Sequence, residues 1–327
     1  MTILITGATG FVMSGLVRQL AERGHAVVAA DLHPPDAALR GHLSGLAGGV
    51  TFRQVNVTDA KAVRALVADV GPERVVHGAA ITAIPAAAER GRFVETTQVN
   101  VLGTLHLLDA VREVGAGRVL VVSSGSVYGV RADRAPVTED DVAQPQGVYP
   151  ITKWAAEALA RRYAAVNPLD VAVVRLASPF GAFERDTGSR PLLSAINDWT
   201  RAALRGEPLR IGGPPTALRD PIYIDDVASG IAAVLLADRL PHDVYNVGWG
   251  KGATTEDTLA ALARLVPGVK IERVPDEPSH WPSLARGVLS SDRLRRDLSW
   301  SPAFDLESGM AAYVAWLRSH GGAGAGP

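Results

Sequence analysis

The 327-residue chain contains no cysteine at all. That excludes disulfides, thiolate zinc sites and cysteine nucleophiles, and it suits a reducing compartment. There is little surplus charge: 33 basic against 34 acidic residues leave a formal net charge of −1. No basic field is available for nucleic acid or an anionic membrane surface, so neither partner is expected. No apolar run is long enough to cross a bilayer. The apolar strand at Met1-Thr2-Ile3-Leu4-Ile5 is not preceded by a basic leader, from which a cytoplasmic protein without a signal peptide is expected. The eight histidines are scattered without metal-ligand spacing, so no metal site is expected.

What is present is apolar: 47% of residues are hydrophobic, enough for a sizeable core. Short β-rich runs alternate with alanine-rich stretches of helical period. Strands are predicted at Thr2–Thr6, Ala26–Ala30, Val50–Val55, Arg74–His77, Arg118–Ser123 and Asp170–Leu176. Helices are predicted at Gly15–Arg23, Ala60–Val70, Phe93–Val114 and Tyr149–Val166. Strands separated by helices need crossover connections, which gives an α/β fold with a doubly wound parallel sheet of the Rossmann type. After Leu176 the rhythm loosens. Ser178–Arg190 and Gly206–Arg219 read as long loops, Ile222–Ala237 as a strand and helix, Thr255–Val266 as a helix capped by Thr254 or Thr255, and Ser308–Ser319 as the last helix. The expected organisation is a nucleotide-binding unit at 1–176, rejoined by 222–245, interleaved with a smaller C-terminal α/β substrate unit at 177–320. The tail 321–327 is expected to be disordered.

The turn Gly7-Ala8-Thr9-Gly10-Phe11-Val12 follows the first strand and opens the first helix. Glycines there let the backbone approach a pyrophosphate, which a helix N-terminus then stabilises. Asp31 ends the second strand about 20 residues on, where a carboxylate can accept hydrogen bonds from a ribose diol. The same charge repels a 2′-phosphate, so the expected cofactor is NAD rather than NADP.

Tyr149-Pro150-Ile151-Thr152-Lys153 puts a phenol and an ammonium at i and i+4, on one helix face. An alcohol oxidation needs a base, and an ordinary tyrosine has a pKa of about 10. Holding it near 7 requires about 4 kcal/mol in favour of the phenolate, which Lys153 and a cationic nicotinamide are placed to supply. Ser124, at the end of a predicted strand, is the candidate hydroxyl donor that aligns the substrate oxygen.

These motifs together resemble the extended short-chain dehydrogenases, the NAD-dependent epimerase/dehydratase family, over residues 1–318. Thr6-Gly7-Ala8-Thr9-Gly10-Phe11-Val12 matches the family's cofactor turn, with Met13 where a third glycine is usual. That departure predicts a displaced helix or weaker NAD binding. Asn56-Val57-Thr58-Asp59 resembles the adenine-contacting segment, His77-Gly78-Ala79-Ala80 the stretch lining the cofactor, and Asn100-Val101-Leu102-Gly103-Thr104 the segment whose asparagine braces the active site. The resemblance implies that Tyr149 exchanges the proton, Lys153 binds ribose and tunes Tyr149, and Ser124 orients the hydroxyl. It also implies cofactor contacts from Gly7, Thr9, Gly10, Phe11, Val12, Asp31, Val57, Asp59, Ala79, Ala80, Asn100, Tyr149, Lys153 and Pro179.

For the substrate, the resemblance points to Ser124, Ser126, Ser178 and Arg219, the arginine binding phosphate in relatives. Arg185 and Arg190, in the loop Phe183–Arg190, are further candidate grips for an anionic group, which would suit a free sugar acid, against the alternative of surface ion pairs with Glu184 and Asp186. Relatives that dehydrate carry an Asp-Glu pair after the catalytic hydroxyl residue. Here Gly125 and Ser126 stand there, so 4,6-dehydration is not expected. The implied activity is oxidation or epimerisation of a secondary alcohol on a sugar-type substrate, either a nucleotide sugar or a sugar acid. The alternative is a non-catalytic NAD sensor or scaffold. The resemblance further implies a homodimer, formed by the helices Phe93–Val114 and Tyr149–Val166 as a four-helix bundle.

Overall fold

The computed structural model describes residues 1–83, 89–131, 135–274, 277 and 287–320. Its centre is a seven-stranded parallel sheet. In chain order, β1 (Thr2–Thr6), α1 (Phe11–Glu22), β2 (Ala26–Asp31), α2 (Ala37–His42), β3 (Val50–Gln54), α3 (Ala60–Val70) and β4 (Arg74–His77) build one half. The other half begins with α4 (Phe93–Thr97), a π-helical turn (Gln98–Leu102) and α5 (Gly103–Val114). It continues through β5 (Val119–Ser124), a 3₁₀ turn (Gly125–Tyr128), α6 (Val148–Val166) and β6 (Val171–Leu176). The remaining elements are β7 (Ser178–Phe180), α7 (Ala195–Leu204), β8 (Leu209–Ile211), β9 (Pro221–Tyr223), α8 (Ile224–Leu236), β10 (Val244–Val247), α9 (Thr255–Leu265), β11 (Ile271–Arg273), α10 (Asp292–Leu298) and α11 (Leu306–His320).

The strand order is β3-β2-β1-β4-β5-β6-β10, all parallel. The order reverses between β1 and β4, the place where an open α/β sheet leaves a crevice at its carboxyl ends. β5 and β6 are buried along their whole length, as expected of central strands covered on both faces. One face carries Leu4, Val75, Val121 and Val173 against α3, α5 and α6; the other carries Ile3, Ile5 and Val174 against α1 and α8. Gly15 lets α1 approach α8: a side chain there would meet Ile224 Cγ1 at 3.2 Å.

The doubly wound sheet expected from the sequence is therefore present, with local differences. α1 begins at Phe11, not at residue 15, because Gly10 in extended conformation starts it directly after the turn. The stretch read as one helix over 93–114 is interrupted by the π turn. The two segments read as loops each contain a strand: β7 pairs with β9 and β8 with β11, three residues apiece. Thr254 is the cap of α9, in a capping box with Asp257. The last helix starts at Leu306, two residues before the expected Ser308. The tail 321–327 lies outside the described residues.

Candidate active site

The cofactor turn sits at the sheet's switch point. Gly7 has φ +70°, and a side chain there would come within 2.6–2.7 Å of the backbone of Gly78 and Ala79 at the end of β4. Only glycine fits, which leaves the backbone bare toward the crevice. Gly10 N–H donates to the Gly7 carbonyl at 3.0 Å and closes the turn. No side chain among the described residues caps α1, so its first N–H groups remain donors for an anion. Asp31 holds the turn from the neighbouring strand: its Oδ2 accepts from Thr9 N–H at 2.9 Å and its Oδ1 from Leu32 N–H at 2.7 Å. A bare turn, an open helix start and a strand-end carboxylate fit the pyrophosphate and ribose of a dinucleotide.

The adenine-side candidates also have structural work. Asp59 Oδ1 caps α3, accepting from Lys61 and Ala62 N–H at 2.9 and 3.1 Å. The Val57 carbonyl is bonded to His106 Nδ1 at 3.0 Å, and Val57 packs where Gly103 has no side chain. Ala79 and Ala80 are half-buried on the strand-end segment beside Gly7.

Across the crevice, Ser124 ends β5 and starts the 3₁₀ turn. Its Oγ accepts from Ser126 N–H at 3.2 Å and Ser126 Oγ–H at 2.9 Å. Two donors on that oxygen leave the Ser124 proton to be given to another acceptor. α6 begins where Gly147, at φ +94°, turns the chain. Glu89 Oε1 receives the Val148 N–H at 2.5 Å, in place of a cap from Gly147. Tyr149 and Lys153 follow one turn apart, and α6 packs on β5 and on the 3₁₀ turn. Asn100, carried inward by the π turn, joins the two halves. Its Oδ1 accepts from Ile81 N–H at 2.8 Å, and its Nδ2 donates to the Ile81 carbonyl and to Thr152 Oγ1, each at 3.0 Å. The asparagine thus ties the loop after β4 to the helix bearing Tyr149 and Lys153.

Lys153 is only 3% exposed. Burial pushes its ammonium down to about 8, partly offset by the carboxylate of Glu157 one turn further along. His77, at the end of β4, is held down to about 3 by burial and then by Lys153 itself. It stays neutral, with Nδ1 bonded to Thr6 Oγ1 at 2.8 Å.

Beneath Lys153 lies a pair that the motif reading missed. Glu157 is fully buried and bonds the guanidinium of Arg175 through two nitrogens. Arg175 also donates to Tyr128 Oη at 2.7 Å and lies over the Tyr128 ring, 4.8 Å from its centroid. The signal was available: an arginine inside an apolar strand needs a buried acid, and Glu157 falls at i+4 from Lys153.

In the second lobe, Ser178, Arg219, Asp220 and Leu289 line one small cavity with Gly125 and Ala177. Ser178 and Arg219 are thereby brought beside the Ser124 turn. Pro179 lies in β7, registered with Ile222 of β9. Arg190 lies elsewhere. It pairs with the buried Glu184 at 2.8 Å and covers the Phe11 ring at 5.2 Å, so it faces the cofactor turn and does not line that cavity. Arg185 likewise donates to the Thr9 carbonyl at 3.2 Å and approaches Asp36 at 3.6 Å, rather than pairing with Asp186.

The profile of the NAD dependent epimerase/dehydratase family matches residues 3–248. The chain is 30% identical to a UDP-glucose 4-epimerase of Mycolicibacterium smegmatis, over 98% of this chain and 99% of that protein. It is 31% identical to a dTDP-glucose 4,6-dehydratase of Streptomyces griseus, over 97% and 94%. Among solved structures it is similar to MoeE5 in complex with UDP-glucuronic acid and NAD, at TM-score 0.82 and 27% identity, covering 98% of this chain and 99% of that one. The UDP-glucose 4-epimerase of Thermus thermophilus, also solved with NAD, aligns at TM-score 0.82 and 26% identity over 97% and 99%. With its glycine turn and Asp31 at the switch point and its buried lysine, the chain belongs to the NAD-dependent epimerase/dehydratase family, and its cofactor is NAD.

Proposed function

We propose that the protein is a nucleotide-sugar epimerase that uses Tyr149, Lys153 and Ser124 to oxidise a secondary alcohol of the sugar and then reduce it from the opposite face. The observation that supports this reading is the ammonium of Lys153, buried one helical turn from Tyr149 on a helix that Asn100 ties through Thr152 to the loop after β4. Bound NAD supplies the acceptor, and later the donor, of the hydride at the sugar carbon. Tyr149 takes the hydroxyl proton as the carbon becomes a ketone, and returns it when the ketone is reduced. Ser124 donates to the substrate oxygen and holds it toward Tyr149. Lys153 keeps the phenolate populated and, with Asp31, holds ribose. Residues 1–176 with 222–245 hold the cofactor, and 177–320 hold the substrate. Ser178 and Arg219 contact the diphosphate, Arg219 as a buried guanidinium suited to phosphate oxygens.

Dehydration is disfavoured by space as well as by residue type. A side chain at Gly125 would meet Leu289 Cδ1 at 2.9 Å and the Leu176 carbonyl at 3.2 Å, so an acid at that position would have to displace Leu289. A sugar acid as substrate is disfavoured because Arg190 is already neutralised by Glu184. The test is to incubate the NAD-loaded protein with UDP-glucose and with UDP-glucuronic acid and analyse products by chromatography. The 4-epimer is expected without net NADH; accumulation of NADH with an oxidised sugar, or of a 4-keto-6-deoxy sugar, would overturn the reading. No product from either substrate with NAD bound would favour the sensor alternative.

The same reading includes a homodimer in a reducing cytoplasm. Phe93 and Val94 on α4 and Ile151, Leu159 and Val166 on α6 are exposed apolar residues, Val94 at 71% and Val166 at 59%. Such side chains along two adjacent helices suit burial against a second copy. Light scattering is expected to give twice the chain mass, and Val94→Asp with Leu159→Asp to give the monomer. A wild-type monomer at micromolar concentration would refute this.

A further inference from the structure

Met13 stands in the first turn of α1 with its side chain buried, 3% exposed. Opposite it lies Gly78, directly after β4. A β-carbon built on Gly78 would sit 2.3 Å from Met13 Sδ and 2.4 Å from its Cγ, with the Thr6 carbonyl at 3.1 Å. The space a side chain at 78 needs is therefore filled by the methionine. Backbone conformation is not the reason for this glycine, because its φ lies outside the left-handed region that favours glycine. The neighbouring close approach is on the other side of the same segment, where Gly7 meets the Gly78 carbonyl carbon and Ala79 N and Cα. Gly78 N–H in turn donates to the Thr6 carbonyl at 3.1 Å. Residues 78–79 are thus held between the cofactor turn and the first turn of the helix that follows it.

We infer that Met13 and Gly78 are a size-matched pair: the missing side chain at 78 lets a methionine occupy the third position of the turn, and the pair positions α1 and hence the seat of the NAD pyrophosphate. Neither residue touches reacting atoms; both are positioning residues. The weaker NAD binding or displaced helix that a methionine at this position predicts does not follow when its partner is glycine. α1 runs unbroken from Phe11, and Met13 lies in the core with Phe11 and Leu16. A larger residue at 78 would force Met13 outward, and because α1 is rigid the N–H donors of its first turn would move with it.

The test is a four-protein cycle of wild type, Gly78→Leu, Met13→Ala and the double variant, measuring NAD dissociation constants by calorimetry and melting temperatures without NAD. Overpacking of this kind is expected to weaken NAD binding by about tenfold or more in Gly78→Leu. Met13→Ala opens a void and is expected to lower the melting temperature. The double variant refills that void from the opposite side, and its affinity is expected to return to within about threefold of wild type, well short of the additive sum. If Gly78→Leu does not fold, Gly78→Ala with and without Met13→Ala repeats the cycle at smaller amplitude. An unchanged dissociation constant in the Gly78 variants, even with a lowered melting temperature, would refute the positioning role. So would a double variant no tighter than Gly78→Leu. The readout is cofactor binding, so the result stands apart from which sugar is turned over.

Discussion

Replacing Tyr149 by phenylalanine is expected to lower turnover by about 10²–10⁴-fold while NAD remains bound. The substitution removes one oxygen and keeps the ring, so the start of α6 retains its form, with Val148 N–H held by Glu89 and Thr152 Oγ1 bonded to the residue 149 carbonyl. The chemical loss is complete by contrast. Ser124 cannot take the proton in its place, because its oxygen already receives two hydrogen bonds from Ser126 and its pKa is far above neutrality. Lys153, lowered by burial only to about 8, is mostly protonated at neutral pH and is a poor substitute base. Single-turnover absorbance of the NAD-loaded variant should show transient NADH forming about 10²–10⁴-fold more slowly than in wild type. Turnover within tenfold of wild type would show that the proton leaves by another route.

The candidate site could be proposed from the sequence because its parts are local. A glycine turn between a strand and a helix, and a tyrosine and lysine one turn apart, each reveal their geometry within a few residues. What was not legible depended on distant contacts. β7, inside a segment read as a loop, is three residues long and pairs with β9 across a gap from Phe180 to Pro221, so no periodicity exists within it. α2 is six residues long with Leu39 as its buried residue, too short to show a face. The π turn that carries Asn100 inward has the same composition as the helices flanking it. Arg190 pairs with Glu184, a buried acid that also accepts from Ser194 N–H and Oγ–H at 2.7 Å. Nothing in the loop's charge pattern distinguishes that buried acid from a solvated one. Met13 is the instructive case. Read along the chain it is a defect in the turn; read across the sheet it fills the place of a side chain that Gly78 lacks.

Lys153→Met is expected to make the NAD-free protein more stable while abolishing turnover. The lysine is buried, and its fall from the ordinary 10.5 to about 8 corresponds to a penalty on the charge of about 3 kcal/mol, at about 1.4 per pH unit. The sign follows from proton counting. Below about pH 8 folded and unfolded chains both hold the proton, and the folded chain bears the whole penalty. Between about 8 and 10.5 the folded chain releases the proton that the unfolded chain keeps, so stability rises with pH through that window; above it the penalty is gone. Methionine fills similar volume with no charge and has no such dependence. Urea unfolding of both NAD-free proteins should therefore show the variant ahead at pH 7, with the gap closing toward pH 10. Glu157 does not cancel the cost, since its carboxylate is shared with Arg175 by two hydrogen bonds. On the proposed mechanism the variant also lacks the ammonium that favours a Tyr149 phenolate, so turnover is expected to be lost with the gain in stability. A variant less stable than wild type at pH 7 would mean that Lys153 is held by favourable contacts, and that its charge is not kept in reserve for the phenolate.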